Sequence, residues 1–287
     1  MNSQNIAQKI IQEINEIPPL PDVVVRVMRI TRDPEASAQE LTRVISQDQA
    51  LTGNILRLCN SAYYGLPRVV SSLTQAVMYL GFHTVRSLVL TCSISNLFSP
   101  DKRIYGYGDS GLWKHAIATA MTSELICKKV RPDLSDTVFT AGLLHDMGQL
   151  ILGIKIADTA ETIIDLMVNA GMGELEAERE AVGITHVELG GLLADKWNFP
   201  DELVHAIRYH HDPDEAISKS ILTSIVHLAD SIALTIGFGI ELDNIKYPPK
   251  EYALKSVDLT QKGFEKLVED SQAMIEEHAE QLLLAVK

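Results

Sequence analysis

Cysteine is scarce in this chain of 287 residues. Cys59, Cys92 and Cys127 are scattered, odd in number and form no C-x-x-C pair. This argues against a disulfide framework or a zinc finger, and for buried, reduced thiols. Aromatic residues are few as well, at 6%, while 46% of the chain is hydrophobic. A core of Leu, Ile, Val and Ala favours packed helices over a β-sandwich. Positive charge is in deficit, with 25 Lys and Arg against 38 Asp and Glu and a formal net charge of -13. A surface of that sign repels phosphate backbones and anionic bilayers, which argues against broad DNA binding and membrane adhesion. No run is long and apolar enough to span a bilayer, and residues 1–15 hold no apolar signal core. The expectation is a soluble, cytoplasmic protein.

What is present is helical punctuation. Residues 6–14 have amphipathic spacing and stop at Pro18, Pro19 and Pro21. Residues 22–31 repeat apolar side chains at helical intervals. Ser37 with Glu40 has the spacing of a capping box, and Asp48 is placed to cap a helix over 49–59. Gly81 can supply a left-handed turn between helices over 73–80 and 82–98. Beyond a polar, glycine-containing stretch at 99–111, helices are expected over 112–129, 136–152 and 154–169. Thr185 with Glu188 forms a second capping-box pattern opening a helix through 195. Further helices are expected from Pro200 to His210, over 216–236 and over 259–286. The expected fold is all-α with two helical lobes, 1–100 and 101–236, and a C-terminal helical extension, 237–287.

Along this frame runs an ordered set of imidazoles and carboxylates. His145 and Asp146 are adjacent at the end of an apolar helical run, where buried charge is expensive. His115 precedes them, and His186, His210, His211 and Asp230 follow, each in its own helical segment. Helices build metal centres by pointing one or two residues each at a common point. On one ideal helix the side chains of His145 and Asp146 would diverge by about 100°. That suits a carboxylate bridging two ions while its neighbour binds one. Mixed imidazole and carboxylate donors suit Fe, Mn, Ni or Zn better than Ca. Two such ions about 3.5–4 Å apart activate water for attack on phosphorus. His83, His205, His227 and His278 are expected to be ordinary solvated or hydrogen-bonded histidines.

A family resemblance adds to this reading. Residues from about 17 to 235 resemble an HDOD domain, the HD-related output domain of bacterial signalling. The resemblance is carried by Ile17-Pro18-Pro19-Leu20-Pro21, by Val44-Ile45-Ser46-Gln47-Asp48-Gln49-Ala50-Leu51 and by Ile55-Leu56-Arg57-Leu58-Cys59-Asn60-Ser61-Ala62. Ser72-Leu73-Thr74-Gln75-Ala76-Val77, Leu80-Gly81 and Gly142-Leu143-Leu144-His145-Asp146-Met147-Gly148 complete it. The second lobe is similar to the wider HD superfamily of metal phosphohydrolases. The resemblance implies that His115, His145, Asp146 and Asp230 match the core HD metal positions. His186, His210 and His211 match the extra positions of the HD-GYP type.

The chain also departs from that type. Where HD-GYP proteins have a Lys after H-D-x-G, this chain has the neutral Gln149. Asp212-Pro213-Asp214 follows His210-His211 in place of G-Y-P. The helix pair about Gly81 has the outline of a helix-turn-helix. Its second helix turns apolar after Arg86, so it reads as a core helix and not a DNA reader. The expectation is a regulatory module with a metal centre, iron first and binuclear in its fullest form, acting through a signalling protein partner. The alternative is a phosphohydrolase acting on a nucleotide or cyclic dinucleotide, with Lys114 and Arg208 as the nearest cations to meet its phosphate.

Overall fold

The structure is a computed structural model that describes residues 3–14, 16–95, 111–155, 159–216, 220–239 and 248–285. Every regular element among the described residues is helical, as the scarcity of aromatics and the caps lead one to expect. Two compact units form. The smaller takes in Leu20–Leu97 and Ala273–Lys287, and the larger takes in Met1–Pro19 and Phe98–Gln272. The expected lobe boundary near residue 100 falls in 96–110, outside the described residues.

The smaller unit contains α2 (Asp22–Ile30), α3 (Ala38–Ile45), α4 (Gln49–Cys59) and α5 (Leu73–Ser95). Its starts are set locally. Ser37 Oγ accepts the Glu40 N–H at 3.1 Å, and Asp48 Oδ1 accepts the Leu51 N–H at 2.9 Å. Gly81 interrupts α5 with a φ of 79°, a conformation L side chains rarely adopt. After it, Val85, Leu88, Val89 and Leu90 are buried, so this half of α5 contributes to the core of its unit. Asn60 donates to the carbonyls of Leu56 and Val70 and accepts from the Val70 N–H. It pins the loop that leads into α5.

The larger unit begins with α1 (Ser3–Ile14). It continues with α6 (Gly111–Val130), α7 (Ser135–Leu144), α8 (Met147–Lys155), α9 (Ala160–Val168) and α10 (Glu174–Val182). Then come α11 (His186–Lys196), α12 (Asp201–Tyr209), α13 (Ile221–Thr235) and α14 (Glu251–Ser256). The last helix, α15 (Gln261–Ala285), is continuous across the division between the units. The segment α1 packs on α10 and α11. The Lys196 ammonium donates to the carbonyls of Ile14 and Ile17, and the Trp197 indole to that of Pro18. Helices α6, α7 and α13 pack together, and α11 packs on α8 and α12.

Two expectations are corrected here, and one helix is added. The helix expected over 136–152 is two helices, with His145 and Asp146 in the turn between α7 and α8. The pair therefore does not lie on one ideal helix. Just after the turn, α8 packs tightly at Gly148, where a Cβ would fall 1.9 Å from the His186 carbonyl oxygen. Only glycine lets α8 come that close to α11. The long helix expected over 154–169 is divided too: α8 ends at Lys155, α9 starts at Ala160, and 156–158 lie outside the described residues. Helix α10, unexpected from the sequence, occupies Glu174–Val182.

Candidate metal centre

Each predicted ligand comes from its own place in the larger unit. His115 lies in the second turn of α6, and His145 and Asp146 in the turn between α7 and α8. His186 opens α11, where Thr185 caps the helix through a reciprocal capping box with Glu188. His210 and His211 follow the end of α12, and Asp230 lies on α13. All seven are brought together. Six are nearly or fully buried, from 0% exposed at His145, His186 and His210 to 4% at Asp146 and Asp230. His211 alone is half-buried. Buried ionisable groups at this density are tolerated only when they are paired or coordinate a cation.

Asp146 is the hinge of the cluster. Its Oδ2 lies 3.5 Å from Nε2 of both His115 and His145. Its Oδ1 lies 3.5 Å from His186 Nε2 and 3.4 Å from His210 Nε2. Asp230 Oδ1 joins the first group, 3.1 Å from His115 Nε2 and 3.7 Å from His145 Nε2. His211 Nε2 joins the second, 3.1 Å from His186 Nε2. Two overlapping donor sets result, each able to hold a metal ion: His115, His145 and Asp146 beside Asp230, and Asp146, His186, His210 and His211.

The outer nitrogens fix the inner ones. His115 Nδ1 lies 2.6 Å from the Phe238 carbonyl, His145 Nδ1 2.7 Å from that of Gly142, and His210 Nδ1 2.9 Å from that of Ile207. A carbonyl only accepts, so each Nδ1 carries its hydrogen, and Nε2 is the nitrogen left to face inward. For His186 the acceptor is Glu178 Oε1 at 2.8 Å, and Glu178 Oε2 accepts the His186 backbone N–H at 2.8 Å. This is the outer support expected of metal-ligating imidazoles. It leaves the Nε2 atoms of His115 and His145 facing each other at 3.1 Å. At that distance the pair needs a proton or a cation between the two nitrogens.

The protonation of the ion-free cluster expresses the same demand. Burial disfavours a charged ring at His115, but Asp230 and Asp146 outweigh it and push the imidazole up to about 9. At His186 burial is likewise outweighed, chiefly by Glu178 and Asp146, and the ring rises to about 10. Burial opposes ionisation of Asp146 and Asp230, yet the surrounding imidazoles hold both well below the usual carboxylate range. His210 and His211 are driven down, by burial first and by neighbouring imidazoles next. A cation would displace the protons that the acids otherwise retain.

Three residues of the surroundings were missed from sequence. Glu178 and Glu174 arrive on the unexpected α10. The signal was the acidic, helix-forming run after Gly173, which lacks an apolar stripe. His227, expected to be ordinary, sits behind His210 with its Nδ1 2.7 Å from the His210 carbonyl. Gln149, 1% exposed, donates through Nε2 to Glu174 Oε1 at 2.6 Å. The nominated cations point elsewhere. Lys114 is exposed. Arg208 pairs with Asp195 at 2.8 Å and lies across Gly191, where a Cβ would fall 2.4 Å from its Nε.

The HDOD domain model matches residues 17–213. An HDOD domain protein of unknown function from Geobacter sulfurreducens superposes with a TM-score of 0.80 at 26% identity, over 98% of this chain and 97% of that one. A candidate phosphohydrolase from Shewanella amazonensis SB2B superposes with a TM-score of 0.71 at 25% identity, over 95% and 97%. An uncharacterized protein of Treponema pallidum is 24% identical over 211 residues, which is 72% of this chain. The chain spans 40% of that relative's length. The domain match covers more than half of the sequence, and the described residues form an all-helical fold in agreement with it: this chain belongs to the HDOD family.

Proposed function

We propose that this protein is a regulatory HDOD module that holds metal in the buried cluster and acts through a protein partner, without hydrolysing a phosphoester. One observation carries the reading: each oxygen of Asp146 faces its own set of inward-turned imidazoles. The donor types favour Fe, with Mn, Ni or Zn as the other candidates, and the two sets have room for a binuclear centre. Bound metal would supply fixed positive charge that locks α6, α11, α13 and two turns to one point. The case against hydrolysis is local. A hydrolase needs a cation or donor for the phosphate beside its metals. Here Gln149 is neutral and held by Glu174, and the acids after His211 grip Lys250.

The second reading is a metal-dependent phosphohydrolase on a nucleotide or cyclic dinucleotide. It is favoured by the bridging placement of Asp146, which suits a two-metal site, and by the likeness to the Shewanella protein. A screen of metal-loaded protein against phosphomonoesters, nucleotides and cyclic dinucleotides separates the two. The expected outcome is bound metal with no turnover above buffer. Turnover abolished by Asp146→Ala would establish the second reading and remove the first.

A further inference from the structure

His227 lies on α13 three residues before Asp230, so both project from one side of that helix. Asp230 reaches the ion cluster, whereas His227 makes two hydrogen bonds behind it. Its Nδ1 lies 2.7 Å from the His210 carbonyl oxygen. Its Nε2 accepts the backbone N–H of Lys250 at 2.9 Å. The carbonyl can only accept and the amide can only donate. The ring is therefore one neutral tautomer, with its hydrogen on Nδ1.

Lys250 continues the grip. Its ammonium pairs with Asp212, and with Asp214 Oδ1 at 3.3 Å. Two residues thus hold the turn after α12 at three points: the His210 carbonyl and the carboxylates of Asp212 and Asp214. The His210 ring is fixed separately by the Ile207 carbonyl at 2.9 Å. Neither His227 nor Lys250 belongs to a group of residues able to hold the ion. What they hold is the backbone that carries His210 and His211 to it. The half formed by His115, His145 and Asp230 has different supports, the carbonyls of Phe238 and Gly142.

We infer that His227 and Lys250 are positioning residues for the half of the centre that His186, His210 and His211 form with Asp146, and that they do not ligate the ion. The inference rests on the metal reading above and adds a division of labour between the two halves. Truncating such an outer support costs about 10–100-fold in metal affinity.

The test is titration of the metal-free 287-residue chain with Co2+, following visible absorption and stoichiometry, with helicity checked by circular dichroism. The wild type is expected to take up two ions. In His227→Leu the second ion should bind about 10–100-fold more weakly while the first is unchanged. His227→Asn, which keeps an amide N–H for the His210 carbonyl, should stay within a few-fold of wild type. Lys250→Met, made at a half-exposed position, should weaken the same step alone, and it carries the test if His227→Leu does not fold. Unchanged binding of the second ion in both variants overturns the inference. Equal weakening of both steps also overturns it, because that assigns His227 a general folding role. A folded wild type that takes up no ion overturns the metal reading itself, an outcome distinct from either.

Discussion

Each imidazole of the cluster has two nitrogens, and the protein uses them differently. In His115, His145, His186 and His210, Nδ1 is committed to a carbonyl or to Glu178, and Nε2 is turned toward Asp146 or Asp230. That division follows from hydrogen-bond chemistry, and it is the arrangement that the proposed metal centre requires. The same reasoning applies to Glu188 at the start of α11. Its burial raises the carboxyl, but the Thr185 N–H and the Arg179 guanidinium outweigh this and hold it below its ordinary value of 4.5. A depressed folded-state value contributes stability above the unfolded value, and that contribution is lost as pH falls through the folded one. Glu188→Gln should therefore lower the melting temperature at neutral pH and narrow its difference from wild type below about pH 4. A difference that stays constant across that window would show that the carboxylate charge is not what caps the helix. At residue scale the sequence was most readable where a side chain faces the interior of the cluster. All seven predicted ligands converge, whereas Glu178 and His227, which face the ligands, carried no pattern of their own.

At the scale of elements, helix starts were legible because caps are local chemistry. Asp48, Ser37 and the Thr185–Glu188 pair stand where helices begin, and Gly81 stands where α5 breaks. The break at His145-Asp146 was not legible. Residues 138–152 are apolar almost throughout, and nothing in their own spacing stops a helix. The close approach of the His186 carbonyl to Gly148, just after the break, involves a residue distant in sequence. Helix α10 escaped for the converse reason: most of it is polar, and it buries Ala177, Glu178 and Val182 only. The close crossing makes a prediction. Gly148→Ala places a methyl group where α8 meets the first turn of α11, and overpacking of this kind costs about 1–3 kcal/mol. Chemical denaturation should show a loss of that size, together with weaker metal binding, since the displaced carbonyl belongs to His186. Unchanged stability and unchanged metal binding would mean that the two helices are free to separate.

At the scale of the whole molecule, the acidic surface and the buried cluster belong to one electrostatic design. A chain with a net charge of -13 concentrates cations near itself, and the larger unit gathers five imidazoles and two carboxylates into one interior. The HDOD family and the fold it shares with the Geobacter protein are compatible with a centre that organises structure without transforming a substrate. The most direct test is the metal content per chain, measured by mass spectrometry on protein purified without chelators and compared with Asp146→Ala. The account predicts up to two transition-metal ions per chain in the wild type and less than one in the variant, because the two donor sets share that carboxylate. A wild type free of metal, or an Asp146→Ala variant that retains the full complement, would contradict it.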